Sequence, residues 1–198
     1  KVEEDILAKD SVHPVVYYPH PVYDTFGKMI EKNQAKIKLH LDESTRYILF
    51  FGLIREYKGL DLLLQAMANS EVKKLNIKLI VAGEFYSDIE KYKSIIKENR
   101  IENNVILHNQ FIPDNEVNVY FGATDLVVQP YKHATQSGIT QICYHFNKPM
   151  IVINPTPPGT GVIQEHFGET FSKSTSPASL YPLFVLSEVI LVIPTSIT

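Results

Sequence analysis

Between Tyr47 and Ile153 the chain changes its hydrophobic period again and again. The runs YILFFG (47–52), IKLIVAG (77–83), NVILH (104–108), DLVVQP (125–130) and PMIVI (149–153) are short, continuously apolar and closed by turn residues. Such runs predict strands buried on both faces. Between them lie GLDLLLQAMAN (59–69), SDIEKYKSIIKENR (87–100), PDNEVNVYFGA (113–123) and SGITQICYHF (137–146), where apolar positions recur at three and four. These predict amphipathic helices, mostly opening on a polar residue or proline. Strand alternating with helix over five units predicts an α/β domain, a Rossmann-like doubly wound parallel sheet covered by helices on both sides.

The two ends of the chain break this rhythm. VEEDILAKD near the start predicts a short helix, and HPVVYYPHPVYDTFG predicts extended backbone stiffened by Pro14, Pro19 and Pro21. Residues 1–25 therefore read as linker and residues 26–198 as the domain. Residues 170–198 mix turn residues with aliphatics and have no sustained helical period. Their longest apolar stretch, 183–194, carries Glu188 and falls short of the roughly 20 residues a membrane span requires. It predicts a buried strand or helix.

Ligands of such sheets sit at the carboxyl ends of the strands, so chemistry is sought in the strand-to-helix turns. The first, FFGLIREYKGLD, lacks both the three-glycine dinucleotide fingerprint and the Gly-Lys-Ser/Thr ending of a P-loop. It offers Gly52, then Arg55 and Lys58 beside a helix start, where cations oppose the macrodipole unless an anion binds. Two solvated surface cations are the alternative. The second turn offers Gly83 and Glu84, a glycine that admits a ligand or merely another backbone. The third places Phe111 and Ile112 before Pro113, either as an apolar lip for a planar ring or with Phe111 plugging the core. The fourth, QPYKHATQSGITQ, brings no carboxylate to the helix start. Either Ser137 caps that helix in the ordinary way, or the amides near Ser137 and Gly138 are left open for an anion.

Composition narrows the partners. The chain has 198 residues, 44% hydrophobic and 21% charged, with a formal net charge of −3. That supports a real core and gives no basic field, so nucleic acid is not an expected partner. A single cysteine, Cys143, excludes an internal disulfide and fits a reducing, cytoplasmic compartment; no signal peptide is visible. The seven histidines are scattered and none has zinc-ligand spacing, so no metal is expected.

In their order, the segments ILFFGLIREYKGLDLLLQAM, LIVAGEFY, FIPDNEVNVYFGATDLVVQPY and SGITQICYHFNKPMIV resemble the carboxyl-terminal, donor-binding domain of GT-B-fold glycosyltransferases. The resemblance spans residues 12–154 and points to the retaining, group 1 or family 4-like enzymes. It implies the second half of a GT-B fold that binds a UDP- or GDP-linked sugar and needs no cofactor. It further implies transfer to a hydroxyl of a glycan or lipid-linked acceptor, in polysaccharide or glycoconjugate synthesis. An amino-terminal domain, of which residues 1–25 would be the remnant and the interdomain linker, would supply the acceptor contacts and any peripheral membrane contact, so the chain alone is expected to be inactive.

Gly52, Lys58 and Gly59 match the family's first turn, whereas Leu53 stands where an arginine is usual and Arg55 is placed to reach the same diphosphate. Lys58 and Arg55 are thus the candidate catalytic cations. The family's paired glutamates fall on Thr135 and Cys143, and Ser137 replaces a phenylalanine. Donor contacts would then come from Gly52, Gly83, Glu84, Phe111 and Ile112, from the amides of Ser137, Gly138, Ile139 and Thr140, and from the neutral side chains of Gln136, Thr140 and Gln141. Two rivals remain: a nucleotide-sugar-binding module without catalysis, and a GT-B-fold sugar-nucleotide epimerase.

Overall fold

A computed structural model describes residues 23, 25–132, 137–153 and 189–192, the last for their backbone alone. The predicted helix near the start, most of the proline-stiffened linker, Thr135 and Gln136 lie outside the described residues.

Five parallel strands form where the apolar runs predict them: β1 Arg46–Phe51, β2 Ile77–Ala82, β3 Val105–His108, β4 Leu126–Gln129 and β5 Met150–Ile153. A sixth, β6 Val189–Val192, pairs antiparallel to β5 with Ile151 opposite Leu191, so of the two readings of the apolar stretch 183–194, strand or helix, strand holds for these four residues. The sheet order is β3-β2-β1-β4-β5-β6. Its register sets Leu49 beside Ile80, Ile48 beside Leu126 and Val127 beside Met150.

Alternation along β1 shows why no polar residue interrupts it. Ile48 and Phe50 enter one core with Leu60, Leu64, Leu79, Tyr92 and Ile96, whereas Leu49 and Phe51 enter the other with Val117, Phe121, Ile142 and Phe146. The first core is roofed by α2 Leu60–Met67, the short α3 Ser70–Lys73 and α4 Ile89–Glu98. The second is roofed by α5 Asp114–Ala123 and α6 Gly138–His145. Helix starts are mostly satisfied locally: Asp88 accepts from the Glu90 amide at 3.0 Å, and Asn69 accepts from the Glu71 amide at 2.8 Å.

One helix has no counterpart in the apolar pattern, α1 Lys32–Lys38. Its sequence KNQAKIK has no apolar stripe, because the residue it buries beside Ala35 is a lysine. Lys36 is 3% exposed, and its ammonium donates to the carbonyls of Glu43 at 2.6 Å and Thr45 at 2.7 Å. The same amino-terminal end of the sheet holds Asp125, which accepts from the Tyr47 amide and pairs with Lys32. There too Lys148 donates to the Thr124 carbonyl at 2.6 Å.

Candidate functional site

At the opposite, carboxyl end, the turn after β1 is fastened on both sides. Ile54 donates its amide to the Glu84 carbonyl at 2.8 Å and accepts from the Tyr86 amide at 2.9 Å, zipping it to the turn after β2. Gly83, with φ +146°, lies so close that a Cβ there would stand 2.1 Å from the Gly52 oxygen. The neighbour that requires this glycine is another backbone. Glu84 joins the zipper through its backbone, and its side chain is exposed. On the other flank, a Cβ on Gly59 would meet the Pro130 oxygen at 1.8 Å. The Lys132 amide donates to the Tyr57 carbonyl at 2.7 Å, and its ammonium pairs with Asp61 at 2.6 Å.

Inside this frame a single 3-10 turn, Glu56–Lys58, delivers Lys58 to the mouth of the strands. Lys58 is only 8% exposed. Its ammonium lies 3.4 Å from where a Cβ on Gly52 would stand, and the Ile139 Cδ1 lies 3.0 Å from the same point. Gly52 therefore keeps open the spot between the lysine and the first turn of α6. Among the described residues no carboxylate or carbonyl pairs with Lys58. Burial, then the nearby Arg55 charge, lowers its pKa to about 8. Solvated decoration is not its situation. Arg55 itself is exposed and stacks its guanidinium over the Tyr86 ring at 5.3 Å, on the rim of the mouth.

The start of α6 resolves the two readings of Ser137. Ser137 holds the N-cap position, with φ −139° and ψ 112°, yet its side chain makes no cap. Instead its Oγ donates to Gln129 Oε1 at 3.0 Å and meets the Tyr131 hydroxyl at 3.0 Å. Thr140 Oγ1 reaches the same Gln129 oxygen at 3.4 Å. Ordinary capping by Ser137 is thereby corrected: the buried hydroxyl is turned to the end of β4. With no acid in the first turn either, the leading amides of α6 have no side-chain partner from the helix itself.

The remaining candidates separate. Gly138 is half-buried beneath the Tyr23 ring, 3.4 Å from where its Cβ would stand, and Ile139 is half-buried beside Gly52. Thr140 and Gln141 are buried. Phe111 is 66% exposed and does not plug the core; Ile112 does, under the α5 roof. Nearby, His108 Nδ1 and the Tyr120 hydroxyl are 2.9 Å apart, and burial lowers the imidazole pKa. Cys143 is wholly buried, and burial pushes its thiol well up. The position matched to the family's second glutamate thus holds a buried thiol, as expected of a lone free cysteine.

Sequence reasoning passed over Gln129 and Tyr131. The available signal was an amide closing the apolar run LVV within DLVVQP. Among the described residues no group of three His, Cys, Asp or Glu side chains could hold a metal ion, and no helix is long and apolar enough to cross a membrane.

The family model described as Glycosyl transferases group 1 matches residues 31–180. No curated protein matches the sequence significantly. Among solved structures, the chain resembles WaaG, a glycosyltransferase involved in lipopolysaccharide biosynthesis, at 18% identity and a TM-score of 0.59, over 71% of this chain and 38% of that one. It resembles the C-terminal domain of the group 1 glycosyl transferase LpcC from Francisella tularensis at 18% identity and 0.55, over 77% and 89%. Anabaena HepE in complex with UDP-glucose aligns at 15% identity and 0.59, over 74% and 40%. The chain thus spans about two fifths of the full-length WaaG and HepE. Its sheet and helices have the fold of a GT-B carboxyl-terminal domain.

Proposed function

The chain belongs to the glycosyl transferases group 1 family, and from that premise we propose that it is the domain that binds a nucleotide-diphosphate sugar for transfer to an acceptor hydroxyl. The observation that carries the reading is Lys58, a nearly buried ammonium with no partner among the described residues, set against Gly52 and the first turn of α6. An ammonium in that setting is stabilised by an anion from outside. A diphosphate lying between Lys58 and the uncapped amides of Gly138 to Thr140 supplies it. Arg55, on the rim, reaches the same group by leaving its stack on Tyr86. The exposed Phe111 ring offers a face to the base, beside the backbone of residues 109–112.

As the bond from the sugar's anomeric carbon to the diphosphate breaks, negative charge gathers on the leaving oxygen, where Lys58 and the amides stabilise it. The neighbour HepE, solved with UDP-glucose and with UDP and glucose, supports a UDP-linked hexose as the first donor to try. Retention of anomeric configuration, a glycan or lipid-linked acceptor, a cytoplasmic setting and dependence on an amino-terminal domain complete the reading. Calorimetric titration of UDP and, separately, GDP into the chain tests it. Binding of one of them that is lost with Lys58→Ala is expected; no binding of either, or binding indifferent to that change, overturns it.

A second reading, binding without catalysis, draws on Thr135 and the buried Cys143 where the family has acids. Sugar transfer by the complete protein excludes it; saturable binding without turnover favours it.

A further inference from the structure

Resting on that reading, we infer that Gln129 is a positioning residue that keeps the Ser137 hydroxyl off its own helix and so leaves the α6 amides free for the diphosphate. Serine at an N-cap ordinarily turns its oxygen onto the amide two or three residues ahead. Ser137 occupies that position, is 7% exposed, and makes no such bond. What differs is Gln129, 2% exposed at the carboxyl end of β4.

The amide nitrogen faces the Met150 thioether at 3.8 Å, a weak acceptor, and the oxygen is turned toward α6. That oxygen accepts from Ser137 Oγ at 3.0 Å and from Thr140 Oγ1 at 3.4 Å. Tyr131, buried beside them, fixes Ser137 from a second side. Thus both hydroxyls that could fold back onto the helix start are committed to the strand. The nearly buried Lys58 ammonium, unpaired among the described residues, faces the same helix turn across Gly52, an observation independent of the helix end that also points to an anion.

Remove the Gln129 oxygen, and the Ser137 hydroxyl keeps only its bond to Tyr131 and is freer to rotate. The N-cap bond is the nearest alternative, and a capped amide is no longer available to a phosphate oxygen. The effect of Gln129 on binding therefore runs through Ser137, and deleting the serine hydroxyl should undo it.

The experiment is titration of UDP or GDP, whichever the wild-type chain binds, into Gln129→Leu, Ser137→Ala and the double variant, with thermal melts alongside. Gln129→Leu should weaken binding about tenfold. In a Ser137→Ala background the same glutamine change should have no further effect, so the double variant binds as Ser137→Ala does and more tightly than Gln129→Leu, a rescue that a merely structural glutamine does not give. Should Gln129→Leu not fold, Gln129→Met, of nearly the same length, takes its place. Unchanged binding in the glutamine variant, or a double variant as weak as the single one, overturns the inference while leaving the role of Lys58 intact. Wild-type chain that binds neither nucleotide, or Lys58→Ala that binds equally well, overturns the proposed function and this inference together.

Discussion

The two ends of the sheet treat buried lysine in opposite ways. At the amino end, Lys36 donates to two carbonyls and Lys148 to a third, with Asp125 and Lys32 close by. At the carboxyl end, Lys58 is buried with only a like charge, Arg55, shifting it further. Burial lowers the pKa of both Lys148 and Lys58 to about 8, so burial does not distinguish them. What does is the partner: Lys148 donates to a carbonyl of the fold, and Lys58 has no acceptor among the described residues. A buried cation therefore becomes informative about function only after its acceptors have been counted.

Stability breaks the comparison most directly. Lys148→Ala strands the Thr124 carbonyl and opens a gap, a loss of about 2–3 kcal/mol, whereas Lys58→Ala removes an unpaired charge and should cost close to nothing. Urea melts of both variants check this, and equal losses would erase the distinction. Next in size is affinity: Lys58→Ala should cost about 1.5–3 kcal/mol of nucleoside diphosphate binding, ten- to a hundredfold, while a folded lysine variant at the other end, such as Lys148→Met, leaves it unchanged. Titration calorimetry separates them.

The pH dependence is the third test. Free Lys58 loses its proton near pH 8 and bound diphosphate holds the proton on, so affinity should fall by about tenfold from pH 7 to 9, with proton uptake on binding near pH 8. Lys58→Ala should flatten that profile. Stability moves the other way: both lysines titrate lower folded than unfolded, so the unfolded chain binds more protons between about pH 8 and 10.5 and their contribution to stability rises through that window. The smallest expected effect is that of Lys132→Ala, which frees Asp61 from the ion pair bracing the next loop; nucleotide affinity should stay within about threefold by calorimetry.

Strand and helix periods made the frame legible. The five parallel strands and α2, α4, α5 and α6 lie within about two residues of their expected spans, because each buries a face whose periodicity is written locally. α1 was not legible, since a lysine occupies its buried face, and β6 is a short edge piece inside a stretch without pattern. At the site, Gly52, Lys58 and the start of α6 could be singled out by residue type and turn position. That Lys58 has no partner among the described residues, that Ser137 bonds Gln129, and that Phe111 is exposed while Ile112 is buried all depend on what lies across the sheet. A neighbour brought in by a crossover of tens of residues leaves no mark on local spacing.

Gly59 and Gly83 carry a consequence for how such a sequence can drift. Each faces a carbonyl of a neighbouring turn so closely that no side chain fits, and the obstacle is backbone, which cannot be repacked by changing another letter. Solved structures that match at 15–18% identity have the same fold with most of their residues different. Side chains can therefore change one position at a time while the fold stands. The two glycines admit no such step, and a lineage that loses either must rebuild the turn as well.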